Sequence, residues 1–324
     1  MKKRVYGVST LAACSLLLCG SLWVFGQHVG QDGQKQKPAP SDQPFVTREQ
    51  TELVSLTVSV TDRDGRAYAG LTVNDLEVYE DKVKQKIEHY STNDAPISAG
   101  VVFDLSGSMQ PKLEAARAAL KAFVDTSHAD DDIFLVGFNQ QAHLLAEFSD
   151  AESMRRQVNV VHAKGDTALY DAAYLGIEKV LHGRHRRRLL LIISDGQDNA
   201  SRYSVGQLRQ RLKETDVQVY CIGINRPGLH DKAELREQQR GQMILEELAR
   251  LTGGRTFFVN TNAALEEAAS RVALEVRQQY SLGYTPTNQQ RDGRWRKIQV
   301  RVNRTPDMPP LTVRTREGYF AAGL

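Results

Sequence analysis

Between residues 95 and 280, apolar runs of strand length alternate with amphipathic runs of helix length, and nothing else in this 324-residue chain restricts the fold as strongly. The strand candidates are 99–103, 133–138, 189–194, 217–224 and 255–259, with a short piece at 143–147 that reads as an antiparallel edge. Helix candidates fall between and after them, at 112–125, 169–181, 204–213, 244–252 and 265–279. In the first, Leu113, Ala116, Leu120, Phe123 and Val124 share one face at helical period. Thr252-Gly253-Gly254 supplies a helix stop. Strands joined by crossovers this long pair in parallel and need helices on both faces of the sheet. The expectation is an α/β domain with a mostly parallel sheet. No internal repeat is evident.

The flanks have a different pattern. Leu53 to Val60 alternates at period two, and 76–81 and 86–90 look like further short strands. Matching material follows the centre at 280–284, 296–302 and 311–314, with a polar turn at 288–293. Neither flank has enough strands for a core of its own. Residues 48–94 and 281–324 are therefore expected to fold together into one small β-rich domain beside the central one.

The amino terminus reads as a targeting segment. Lys2, Lys3 and Arg4 precede an uncharged, mostly apolar run from Val5 to Gly26. Val24-Phe25-Gly26 resembles a cleavage site, the run is long enough to persist as a membrane anchor, and Leu11-Ala12-Ala13-Cys14 has the letters of a lipidation box. Residues 1–26 are thus expected to be a signal peptide or an anchor, which places the protein outside the cytoplasm: periplasmic, cell-surface or secreted. Residues 27–47 are rich in Gln, Pro and Lys and read as a flexible linker with a reach of about 25 Å.

The net charge of +3 comes from the targeting segment alone; beyond it 39 bases balance 39 acids. A neutral mature chain gives no reason to expect nucleic acid as a partner. Of three cysteines, Cys14 and Cys19 lie in the export segment, so Cys221 has no intrachain partner and reads as a buried strand residue.

Five oxygen-bearing residues stand out in three separate pieces. They are Asp104, Ser106 and Ser108 just after the strand candidate 99–103, Thr167 at the start of a helix candidate, and Asp195 just after the strand candidate 189–194. Carboxylates and hydroxyls are hard donors that suit Mg²⁺, Mn²⁺ or Ca²⁺ and suit soft metals poorly. Each piece also has a plain structural reading: a Ser or Asp helix cap, a Thr cap, an Asp-Gly turn. In open α/β sheets, however, ligands bind beyond the carboxyl ends of the strands, at a topological switch point, and two of the three pieces directly follow strand candidates.

Asp-x-Ser-x-Ser, the later Thr and the final Asp-Gly resemble the metal-ion-dependent adhesion site, or MIDAS, of von Willebrand factor type A (VWA) domains. The resemblance covers about residues 95–280, and the flanks look like those of the VWFA-related proteins frequent in Acidobacteria. It implies a Rossmann-like, doubly wound sheet. It also implies that Ser106, Ser108 and Thr167 offer hydroxyl oxygens to a divalent ion, Mg²⁺ first, with Asp104 and Asp195 supplying charge. A partner protein would then complete the metal's shell with a Glu or Asp carboxylate. Gly107 is expected to permit the tight loop between the two serines.

Neighbouring features receive plainer readings. Asp198 and Asn199, close to the Asp195 loop, are expected in a solvated turn, with ligand contact as the alternative. The run 182–188 is expected as a solvated basic loop at the opposite end of the sheet, with docking of acidic lipid headgroups or a partner as the alternative, and 227–241 as a charged surface loop. His143 and His162 lack metal-spaced partners and read as structural. No Gly-x-Ser-x-Gly elbow surrounds Ser106, and there is no phosphate loop, dinucleotide fingerprint or His-Glu-x-x-His. The chain therefore reads as a metal-dependent binding module, not an enzyme. A structural envelope protein with an unused metal site, and a metal-dependent hydrolase, are the alternatives.

Overall fold

The computed structural model describes residues 53–92, 94–157, 164–225 and 231–323. The targeting segment, the linker, His162 and the start of the charged run at 227–230 lie outside them. The chain enters through β1 (Val54–Thr61), β2 (Leu76–Glu80), β3 (Val83–Gln85) and β4 (Ile87–Ser91). It then runs through β5 (Ile97–Asp104), α1 (Leu113–Thr126), β6 (Asp132–Phe138), β7 (Ala142–Ser149), α2 (Ala151–Gln157) and α3 (Leu169–Val180). Next come β8 (Arg187–Ser194), α4 (Val205–Lys213), β9 (Gln218–Ile224), α5 (Lys232–Thr252), β10 (Thr256–Val259) and α6 (Asn262–Arg277). It leaves through β11 (Tyr280–Tyr284), β12 (Trp295–Val302), β13 (Thr312–Arg314) and β14 (Gly318–Phe320).

The central sheet has the order β10-β9-β8-β5-β6-β7 and is parallel except for the edge strand β7. β5 is buried at every position because helices cover both faces. Ala99, Val101 and Phe103 pack with α1 and α6, while Val102 faces a second cluster with α3, α4 and α5. The chain winds outward from β5 in both directions, so the strand order reverses between β5 and β8. This is the doubly wound, mostly parallel fold expected from the alternation, with the antiparallel edge at β7.

Strands from both ends of the chain build two four-stranded antiparallel sheets, β13-β1-β11-β4 and β14-β12-β2-β3. Leu56 of β1 lies opposite Leu282 of β11, and Val78 of β2 opposite Val300 of β12. These four residues, with Val58 and Tyr284, share one hydrophobic core. Each flank thus supplies four of the eight strands of these two sheets. A buried polar hub joins it to the central sheet: Gln279 Nε2 donates to Ser59 Oγ of β1 (2.9 Å) and to Gln218 Oε1 of β9 (2.7 Å).

One expectation fails. The stretch ending at Gly241 is no surface loop beyond residue 231; α5 starts at Lys232, one turn of helix after another before the expected start at 244. Ala233 to Arg240 are strong helix formers, and the Asp231 side chain caps the first turn by accepting from Ala233 N (3.0 Å). Polar residues around the whole circumference leave no apolar period to detect. The three-residue strands β3 and β14, and α2, likewise carry no period and were not foreseen.

Candidate metal site at the strand crest

Three loops meet beyond the carboxyl ends of β5 and β8, and backbone hydrogen bonds stitch two of them together. Lys164 N donates to Leu105 O (2.8 Å) and Gly107 N to Gly165 O (2.9 Å). Asp104 is the last residue of β5; Asp195 directly follows β8. Asp104, Ser106 and Ser108 of the first loop and Asp195 of the third are linked by hydrogen bonds at this crest, while Thr167 belongs to the second loop, which bonds to the first through Gly165.

The polar contacts form a chain across that crest. Ser106 Oγ lies 3.1 Å from Ser108 Oγ, and Ser108 Oγ donates to Asp195 Oδ2 (3.0 Å). Neither Ser106 nor Thr167 is spent on helix capping. Ser106 occupies the N-cap of a short 3-10 turn at Gly107–Lys112, yet its hydroxyl accepts nothing from that turn. The N-cap of α3 is Ala168, so Thr167 does not cap it either.

Asp104 is fully buried. Its Oδ1 accepts from Ser106 N (2.9 Å) and its Oδ2 from Ser194 Oγ (2.6 Å). Both donors are neutral, and Asp104 makes no ion pair among the described residues. Burial, then the charge of Asp195, pushes its carboxyl up to about 6. A divalent cation would relieve both the desolvation and the repulsion. Among the described residues no three His, Cys, Asp or Glu side chains form a group that could hold a metal. A site here must recruit hydroxyls, and the hydroxyls are present.

Several contributors were not foreseen. Ser194 orients Asp104 and also accepts from Gly196 N (3.0 Å). Asp198 and Asn199 are more than a solvated turn: Asn199 Oδ1 accepts from Thr167 N (2.8 Å), Asn199 N donates back to Thr167 O (3.0 Å), and Asp198 Oδ1 accepts from Tyr170 N (3.1 Å). They hold the Thr167 loop and the first turn of α3. Burial raises the Asp198 carboxyl above its usual range. The only sequence signal was their place just after Asp195.

Glycine matters here at a different position from the one expected. Gly107 has ordinary backbone angles, and a Cβ on it would lie 3.6 Å from its nearest neighbour, Gly165 O. Gly196, at φ +82°, and Gly241 of α5 touch backbone to backbone. A Cβ on Gly241 would stand 2.8 Å from Asp195 O and 2.9 Å from Gly196 C. The helix thus backs directly onto the loop that carries Asp195.

The remaining sequence candidates lie away from the crest. His143 is exposed on β7. Cys221 is buried in β9, where burial pushes its thiol up to about 12 and keeps it unreactive.

A doubly wound sheet with oxygen donors gathered at its reversal point defines a class of α/β binding domains. A model of the von Willebrand factor type A domain matches residues 100–271, and the chain belongs to that family. None of the curated proteins matches it. Among solved structures it is similar to a von Willebrand factor type A protein from Catenulispora acidiphila at 12% identity, over 85% of this chain and 75% of that one, with a TM-score of 0.47. Proximal thread matrix protein 1 from the mussel byssus, solved with a zinc-occupied MIDAS motif, is 17% identical over 61% of this chain and 49% of its own, TM-score 0.47. An aerotolerance-related membrane protein from Bacteroides fragilis is 18% identical over 56% of this chain and 98% of its own, TM-score 0.44. Such distant likenesses bear on no property of the site.

Proposed function

We propose that the crest binds a divalent cation and through it a protein partner. Asp104, Ser106, Ser108, Thr167 and Asp195 would hold the ion, with Mg²⁺ the first candidate and Mn²⁺ or Ca²⁺ able to replace it. When bound, the ion supplies a positive centre that accepts an oxygen from outside, and a Glu or Asp carboxylate of the partner suits it. The observation that supports this most is the Asp104 carboxyl: fully buried, beside the Asp195 carboxylate and the hydroxyls of Ser106 and Ser194, with no ion pair among the described residues. Ser194 and Asn199 position the donors and are not themselves ligands in this reading.

The binding domain in this proposal is residues 95–280, with 48–94 and 281–324 as its β-rich companion. The basic, apolar segment 1–26 exports the chain or anchors it, and 27–47 tethers it, so the partner is a protein met outside the cytoplasm. Among the described residues no helix is long and apolar enough to cross a membrane. The test is capture from envelope extract on the immobilised protein in Mg²⁺ or Mn²⁺, followed by elution with EDTA. The reading expects proteins released by EDTA from wild type and absent from Asp104→Ala and Thr167→Ala. Equal eluates from all three would refute it.

A further inference from the structure

At the amino ends of the same strands, between the central sheet and the sheet β13-β1-β11-β4, lies a cavity of about 420 Å³. That volume falls within the range of small-molecule sites, which favour junctions of this kind. The basic run that precedes β8 opens into it. Arg186, Arg187 and Arg188 line the cavity, with Lys213 at the end of α4 and Arg316 from the segment between β13 and β14. Asp216 is the one acidic side chain in its wall.

Most of the chain's own acceptors are already used. Arg188 Nη1 donates to both oxygens of Asp216, at 3.0 and 3.2 Å. Arg187 donates to Ala95 O (2.9 Å), to Gln279 Oε1 (3.0 Å) and to Val276 O, so it is held by carbonyls at the end of α6, where the helix dipole favours a cation. Arg316 donates to Ser55 O (3.2 Å) and lies over the Tyr319 ring, 5.4 Å from its centre. Lys213 lies over the Trp295 ring at 5.4 Å. Arg186 is exposed.

Arg186, Lys213 and Arg316 form no ion pair among the described residues. Burial works against the charge on Arg316 and pushes its pKa down, yet a guanidinium keeps its proton. A charge withdrawn from water without a counter-charge is costly. Arg186 is exposed and Lys213 and Arg316 are half-buried, and the carboxylate in the wall, Asp216, is already bonded by Arg188, so the cavity carries an excess of positive charge. A phosphoryl group carries about −1.5 to −2 charges at neutral pH and three acceptor oxygens. The rest of the wall includes Leu53, Leu212, Leu282 and Trp295, an apolar surface fit for the body of an organic ligand.

We propose that this cavity binds a small organic phosphate monoester, its phosphoryl group held by Arg186, Lys213 and Arg316 and its apolar body against Trp295 and the leucines. The site is independent of the crest, at the other end of the sheet.

The test is calorimetric titration of the full-length chain with phenyl phosphate, beside inorganic phosphate, phenylacetate and benzyl alcohol. Phenyl phosphate is expected to bind at least about tenfold more tightly than phenylacetate or inorganic phosphate, a difference near 1.4 kcal/mol, and benzyl alcohol not at all. Arg186→Gln and Lys213→Gln should each weaken phenyl phosphate about tenfold. These two stand beside Arg316→Gln because Arg316, half-buried over Tyr319 and bonded to Ser55 O, puts folding of that variant at risk. Absence of phenyl phosphate binding to wild type, or equal affinity in Arg186→Gln and Lys213→Gln, would overturn the proposal. Inorganic phosphate binding as tightly as the ester would overturn the organic-ligand part, and phenylacetate doing so would overturn the phosphate specificity.

Discussion

The two ends of the central sheet carry opposite electrostatic problems. At the crest, Asp104 is a buried carboxyl with no ion pair among the described residues, and Asp195 pushes its pKa further up. At the base, Arg187 and Arg316 are guanidiniums whose pKa values burial lowers, with no carboxylate in ion-pairing contact among the described residues. The crest is built by three loops of one domain. The base is assembled from β1, β4, β5, β8, β9, β11, β12, β14, α4, α5, α6 and the segment between β13 and β14. The two ends thus present opposite charge: a fully buried carboxyl at the crest and half-buried guanidiniums at the base.

The largest effect that would sharpen the contrast is a pH dependence confined to the crest. The folded Asp104 carboxyl titrates near 6, above its ordinary value of 3.8, so folding favours its protonated form. That stabilisation is complete below about pH 4 and is lost as pH rises through 6, by at most about 3 kcal/mol. The urea midpoint in EDTA should therefore be higher at pH 5 than at pH 7, as far as this group is concerned. Asp104→Asn should flatten the difference, and so should saturating Mn²⁺ at pH 7. An identical pH profile in wild type and Asp104→Asn would break the electrostatic account of the crest.

Gly241→Ala comes next. Its methyl group would press on Asp195 O and Gly196 C, and the loop must give way. A displacement of this size is expected to weaken Mn²⁺ about tenfold, near 1.4 kcal/mol, beyond any loss of stability from overpacking. Affinity unchanged in a folded Gly241→Ala protein would show that α5 does not set the loop's position. Asn199→Ala removes one hydrogen bond to Thr167 N, so a loss of roughly threefold is expected in the same titration. The smallest effect belongs to Gly107→Ala, where ordinary backbone angles and a 3.6 Å clearance predict affinity within about twofold of wild type. A large loss there would restore the role that the sequence suggested for this glycine.

The same contrast explains what the sequence disclosed. Asp104, Ser106 and Ser108 are adjacent in one loop, and the strands before Asp104 and Asp195 announce themselves as apolar runs. The fold class followed from periodicity, and the pairing of strands between the two flanks is the outcome that too few strands on each side would require. Ser194 and Gly241 were not legible, because their roles depend on contacts made only after folding. Gly241 touches a loop 45 residues earlier, from a helix whose first half shows no apolar face. The basic run 182–188 has the composition of a solvated loop. It is largely tied down: Arg184 N donates to Asp132 Oδ2 (3.0 Å) and His185 N to Ser98 Oγ (2.9 Å). The cavity beside it needs the distant Arg316 to exist, and no local pattern links the two.

The most direct measurement is a Mn²⁺ titration of wild type and Asp104→Asn at pH 7.5, read by electron paramagnetic resonance of the free ion. Asparagine keeps the side chain's size and an acceptor while removing the charge. The account predicts one Mn²⁺ per wild-type chain, released by EDTA, and at least about a hundredfold weaker binding in the variant, near 2.7 kcal/mol. Equal binding by the two proteins, or none by wild type, would contradict a cation site at the crest.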